Sequence, residues 1–164
     1  MTDRNVTLEA AGIPSGSKLA EVVAGRADVM ALTQATMEAV LSPRVPGGIS
    51  PAERAGLASR IARLNNESTL AEHFAQLMPD TGDSPAVQIA DPSFSGDGDP
   101  RTSALIRHVD LVTVSPRDAT PENITMLTEV GIDDADIVRL AELISFVNYQ
   151  VRVIAGLRLL GEII

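Results

Sequence analysis

The sequence predicts an all-α fold, and three observations predict it. Apolar residues recur at helical spacing over long stretches, as in Val29, Met30, Leu32, Met37, Val40 and Leu41. Helix-start chemistry is written out at Ser50-Pro51-Ala52-Glu53 and again at Thr120-Pro121-Glu122. The chain is 45% hydrophobic but only 2% aromatic, so its core must be built from Leu, Ile, Val, Ala and Met. Ala and Leu favour helix, and Met fills irregular gaps. A length of 164 residues suits one compact domain, residues 1–164.

The elements follow in order. Residues 1–16 read as an irregular arm that ends in the turn chemistry of Ile13-Pro14-Ser15-Gly16. Helix begins near Ser17, a candidate N-cap, and carries Leu19, Val22 and Val23. Gly25 divides it from a second helix with Asp28 in its first turn. Ser42-Pro43 ends that helix, because a residue before proline avoids the helical region. Ser50 then opens a helix through Leu57, Ile61 and Leu64, Asn65-Asn66 breaks it, and a second helix spans residues 68–78.

Residues 79–100 read as a long internal loop, with an apolar island at 86–90 that could be extended. Residues 102–114 are ambiguous between strand propensity and helical spacing, and helix is preferred. Gly131 is a left-handed helix stop, and Asp133 caps the last helix, residues 135–160. That helix is apolar almost all round, so it is expected to be central or to lie in a subunit interface. A homo-oligomer is the expected state.

Charge and composition exclude several functions. The net charge is −9, which repels phosphate backbones, so no nucleic acid is expected as a partner. The absence of cysteine removes disulfides, thiolate metal sites and cysteine nucleophiles together. The first eleven residues carry Asp3, Arg4 and Glu9 and no apolar signal core. The charge-free stretch 143–151 is too short for a membrane span, and the expected setting is cytoplasmic.

Two segments resemble a known family. Residues 53–67, reading Glu-Arg-Ala-Gly-Leu-Ala-Ser-Arg-Ile-Ala-Arg-Leu-Asn-Asn-Glu, lead to Ala71-Glu72-His73. Residues 127–157 order a glycine, an acidic cap, an apolar helix and an Asn148…Arg152 pair. Both are similar to segments of alkylhydroperoxidase AhpD-like and carboxymuconolactone decarboxylase (CMD) proteins, in the peroxidase-related branch. The resemblance covers less than half the chain. It implies an all-helical, oligomeric AhpD-like bundle. It also implies a redox pair, Cys-x-x-Cys, and here the chain departs: Glu67 and Leu70 fall at the two cysteine positions. His73 falls at or beside the family's histidine, and Glu53 near its relay glutamate. Thiol peroxidase activity is not expected, because only a thiolate can attack a peroxide and resolve as a disulfide.

The candidate site residues are weighed on that basis. Glu67, His73 and Glu53 are the acid/base candidates, with Glu72 beside them; His73 would titrate near neutral pH. The competing reading is a capping acid and a structural histidine. Asn148, Tyr149 and Arg152 are polar groups on the most apolar helix and either line a pocket or bridge subunits. His73, His108 and Glu67 form a nominal two-His-one-carboxylate set, but nothing in their spacing demands a metal, and none is expected. Asp91, Asp97 and Asp99 flank glycines without the spacing of a calcium loop. No cofactor is expected. Two functions remain open: a diverged acid/base enzyme on a small acyl, lactone or keto-acid ligand, and a non-catalytic scaffold or companion to a cysteine-bearing paralogue.

Overall fold

A computed structural model describes residues 5–78, 85–96 and 98–164, and within them the fold is all-α with no strand. The helices are α1 (Val6–Ala10), α2 (Lys18–Ala24), α3 (Ala27–Leu41), α4 (Pro51–Leu64), α5 (Ser68–Ala75), α6 (Pro85–Ile89), α7 (Pro100–Val114), α8 (Pro121–Glu129) and α9 (Asp134–Gly161). A 3-10 turn, Pro116–Asp118, joins α7 to α8.

Local chemistry sets the boundaries. The Ser50 hydroxyl accepts from the Glu53 amide at 3.2 Å, and the Glu53 carboxylate accepts from the Ser50 amide at 2.8 Å. This is a complete capping box with proline at the first helical position. Two helices end in the same motif. After α8, Gly131 adopts φ 84°, and the Ile132 amide returns to the Leu127 carbonyl at 3.1 Å. After α4, Asn66 takes φ 58°, and the Glu67 amide returns to the Ala62 carbonyl at 2.9 Å. Asparagine is one of the few side chains that tolerate this left-handed conformation.

Two expectations change. The arm contains helix α1, which is capped by Asn5 accepting from the Leu8 amide at 3.1 Å and buries Val6 and Ala10. The loop contains helix α6 at the apolar island that could have been extended; Ala86 and Ile89 pack inward from it. Both helices are five residues long, too short for periodicity to declare them, and tertiary packing stabilises them. Residues 1–4, 79–84 and 97 lie outside the described residues.

Helix α4 lies at the centre and packs against α5, α6, α7 and α9. Nine consecutive residues, from Arg54 to Ala62, are buried. Its own Leu57 and Ile61, and around it Leu70, Phe74, Leu105, Leu140 and Leu143, are wholly excluded from water. Each such side chain stabilises the fold by about 1.5–3 kcal/mol. Helix α9 fits the expected central helix on one face only. Leu140, Leu143, Ile144, Val147 and Ile154 are buried, while Val138 and Leu159 are 59% and 62% exposed.

Gly56 marks the closest approach. A Cβ there would stand 2.4 Å from the Ala86 carbonyl oxygen, so α6 can lie on α4 only because position 56 has no side chain. Gly56→Ala should therefore destabilise the fold by about 1–3 kcal/mol, since α6 must shift as a backbone unit. Urea denaturation would read this as a lower midpoint at unchanged slope.

Candidate functional site

The α4–α5 hairpin places the candidate chemistry. The left-handed turn at Asn66 swings the chain so that Glu67 precedes α5 with its side chain inward, 4% exposed. It makes no capping hydrogen bond to α5. Both of its carboxylate oxygens instead accept from Arg158 of α9, at 2.5 and 2.9 Å. Arg158 also donates to the Ala10 carbonyl of α1 at 2.7 Å. This fork ties α9, α1 and the α4–α5 turn together. A charge-assisted bidentate pair is among the stronger hydrogen-bonded arrangements.

His73 lies half-buried on α5 with its ring edge-on to Phe74, centroids 5.7 Å apart. Glu72 beside it is exposed, and Leu70 is a core residue with no exposure. Glu53 belongs to another part of the fold. It closes the capping box of α4 and accepts from Arg101 of α7 at 2.6 Å. Burial works to raise its carboxyl, but the hydrogen bonds from Arg101 and Ser50 outweigh this and hold it below the usual carboxylate range.

The polar residues of α9 point in different directions. Asn148 is buried and accepts from Asn65 at 3.2 Å, so it grips the end of α4. Tyr149 is exposed on the α3 side, its hydroxyl 3.2 Å from that of Thr33. Arg152 is exposed and donates to the Asn148 carbonyl at 2.8 Å.

His108 is buried on α7, and its Nδ1 makes no hydrogen bond within the described residues. Burial pushes its pKa below the usual value. Asp91 accepts from the Ser93 amide and hydroxyl at 2.8 Å, and Asp99 caps α7; Asp97 lies outside the described residues. Among the described residues no three His, Asp or Glu side chains converge to hold a metal ion.

Among the described residues, cavities open elsewhere, two of them as follows. One, of about 870 Å³, is a groove between α1, α2 and α3, with Val23, Ala24, Met30 and Ala31 on its walls and Glu9 and Glu38 among its lining residues. The other, of about 400 Å³, lies where the turn after α1 and the start of α2 meet the end of α9. Neither is lined by Glu53, Glu67, His73, Asn148, Tyr149 or Arg152.

No family model, curated protein or solved structure matches the chain.

Sequence reasoning missed the arginines that organise these surroundings. Arg54 and Arg60 are each 1% exposed on α4, and Arg158 fixes Glu67. A signal existed for the first two: they interrupt an otherwise Ala-, Gly- and Leu-rich helix on its inward faces. Nothing in the sequence pairs Arg158 with Glu67 across 91 positions.

Two outcomes follow from these environments. Glu67→Gln leaves Arg158 without its counter-charge and should destabilise the fold by about 1–3 kcal/mol, less than a fully buried pair because Arg158 is partly solvated. Thermal unfolding of the variant checks this. For His108 the unfolded chain takes up a proton at the ordinary pKa of 6.5, whereas the folded chain resists it to lower pH. The unfolded state then binds more protons, so stability should fall as pH drops below about 6.5. Denaturation midpoints from pH 7.5 to 5 should show this slope, and His108→Leu should flatten it.

Proposed function

We propose that the protein is a non-redox, self-associating helical subunit of AhpD/CMD-like descent that holds a partner or ligand rather than performing acid/base chemistry. A cysteine-bearing paralogue is the partner this descent implies. One observation carries the reading. Glu67, which stands where the resemblance puts the first redox cysteine, has both oxygens engaged by Arg158. A general base must come within about 2.6–3.2 Å of the proton it takes, and Glu67 is 4% exposed and lines neither cavity described above. Glu53, the second carboxylate, is committed to the α4 cap and to Arg101.

Self-association is supported by the outer face of α9. Tyr149, Val153, Gly156 and Leu160 follow one another on α9 at spacings of four and three, all but the half-buried Val153 exposed, and the exposed Ile163 lies just past the helix end. This is the apolar repeat of a helix–helix seam. Ile163 is 80% exposed and Leu160 37%. A second copy of the chain, presenting the same stripe, would cover it by two-fold symmetry.

Light scattering at micromolar concentration should therefore give a multiple of the chain mass. Leu160→Asp combined with Ile163→Asp should return a single-chain mass with an unchanged far-ultraviolet circular dichroism spectrum. A strictly monomeric wild-type protein would refute self-association. Peroxide turnover by the purified protein above a buffer blank would refute the non-redox part.

A further inference from the structure

The larger groove, of about 870 Å³ between α1, α2 and α3, is not built like an ordinary helix surface. An outward helix face is normally polar. Here α3 presents Ala27, Ala31 and Ala35, a line of exposed residues four apart, and α2 presents Ala20 and Ala24. Leu8, Ile13, Val23 and Met30, each half-buried, supply the larger apolar side chains of the lining. The rest of the bundle leaves this face open. Helix α3 buries Thr33, Met37, Val40 and Leu41 and packs on α9, α4 and α1, while α2 buries Leu19 alone of its seven residues.

The shape selects a helix as the guest. From Ala27 to Glu38 the α3 wall runs about 16 Å, three turns of helix. Small side chains on both walls let a second helix backbone come close, and Met30 adapts to what it meets. The lining amides are already engaged: Asn5 donates to the Met30 carbonyl at 2.9 Å, and Gln34 accepts from the Val6 amide at 3.2 Å. They are not offered to a guest's backbone, so a guest that satisfies its own backbone fits best.

Charge selects its chemistry. Among the described residues the groove is lined by Glu9 and Glu38 and by no lysine, arginine or histidine. Glu38 is exposed and accepts from Gln34 at 3.1 Å, a neutral partner that leaves the charge itself unmatched. Arg26, between α2 and α3, stands 3.8 Å from Asp28 and does not line the groove. A second copy laid across this face by two-fold symmetry would bring the same two carboxylates against their counterparts.

We propose that this groove receives a basic amphipathic helix of another protein, its apolar stripe between α2 and α3 and its lysines or arginines on Glu9 and Glu38. A lysine suits this rim because its stem covers apolar surface while its ammonium reaches outward. No α9 residue lines the groove, so the inference is independent of the self-association proposed above.

The probe is a fluorescein-labelled peptide of about 14 residues made of Leu, Ala and Lys, with its leucines on one helical face and its lysines beside them. Added to the full chain, it should raise fluorescence anisotropy saturably, with a midpoint below about 100 μM. The same peptide with glutamate for lysine, and a scrambled peptide of equal composition and charge without the stripe, should each bind at least about tenfold more weakly. Ala31→Tyr, at an exposed position, fills the groove without changing the charge and should cost at least about tenfold with an unaltered circular dichroism spectrum. Glu38→Gln should weaken binding by about threefold or more, and Glu129→Gln, the same loss of charge at an exposed site on α8, should not.

No saturable binding up to about 1 mM would overturn the proposal, as would equal binding of the scrambled peptide or unaltered binding by Ala31→Tyr. A fall in oligomer mass on Ala31→Tyr would overturn it in favour of a second copy. Binding seen only after residues 1–4 are removed would overturn it in favour of the chain's own first segment.

Discussion

Two buried guanidinium groups on α4 hold this bundle's loops in place. Arg60 donates through Nε and NH2 to both oxygens of Asp110, at 2.6 and 2.7 Å. It also donates to the carbonyls of Ile89, Asp91, Pro92 and Phe94. Arg54 does the same without a direct carboxylate partner, donating to the carbonyls of Val40, Pro46 and Ile49. Burying a charge is expensive unless every donor is satisfied, and a guanidinium brings five donors in a fixed fork. These arginines therefore demand loop carbonyls at set positions. The segments after α3 and after α6 comply by wrapping onto α4. Burial lowers the pKa of Arg54, and the nearby charge of Asp136 partly offsets this.

The same constraint reaches the Pro46-Gly47-Gly48 segment. The Gly48 amide donates to Asp136 at 2.6 Å, and a Cβ at Gly47 would lie 2.0 Å from an Asp136 oxygen. Arg101 holds the Gly48 carbonyl and, through Glu53, the start of α4. Asp136 in turn belongs to the first turn of α9, beside its cap Asp133. The ends of three helices are thus joined through one glycine pair. The acids that a search for catalytic groups would single out are spent on this framework. Glu53 secures the start of α4 and Glu67 secures the end of α9, and each carboxylate is matched by an arginine. Charge of this kind positions helices.

Much of the framework was legible from local sequence because caps are local. Ser50, Asp133 and Gly131 act within three or four residues of themselves, so their neighbours declare their roles. The expectation of helix over 102–114 held for the same reason: apolar spacing outweighed the β-propensity of its valines, and no strand lies among the described residues to pair with it. What was not legible is long-range. Helices α1 and α6 exist because they pack on the bundle, and five residues carry too little periodicity to reveal them. The partners of Arg60, Glu67 and Asn148 lie 50, 91 and 83 positions away. Asn148 and Tyr149 are adjacent in sequence but about 100° apart around the helix, one buried toward α4 and the other exposed beside α3, which residue type alone does not disclose.

Helix α9 shows how these links meet. By length and composition it could cross a bilayer, yet 44% of its apolar window is buried inside the protein, against α3, α4 and α1. Its inner face is fixed by core packing and by the Asn65–Asn148 contact, and its end by Arg158. The apolar composition of its outer face is then not explained by the single chain. A helix polar on that side would have packed equally well on α4. In the self-association proposed above, the anchored inner face would hold the stripe from Tyr149 to Leu160 in register. The arginine that ends the helix thereby serves two surfaces at once. It closes Glu67 within the fold, and it forms one wall of the cavity beside Lys18.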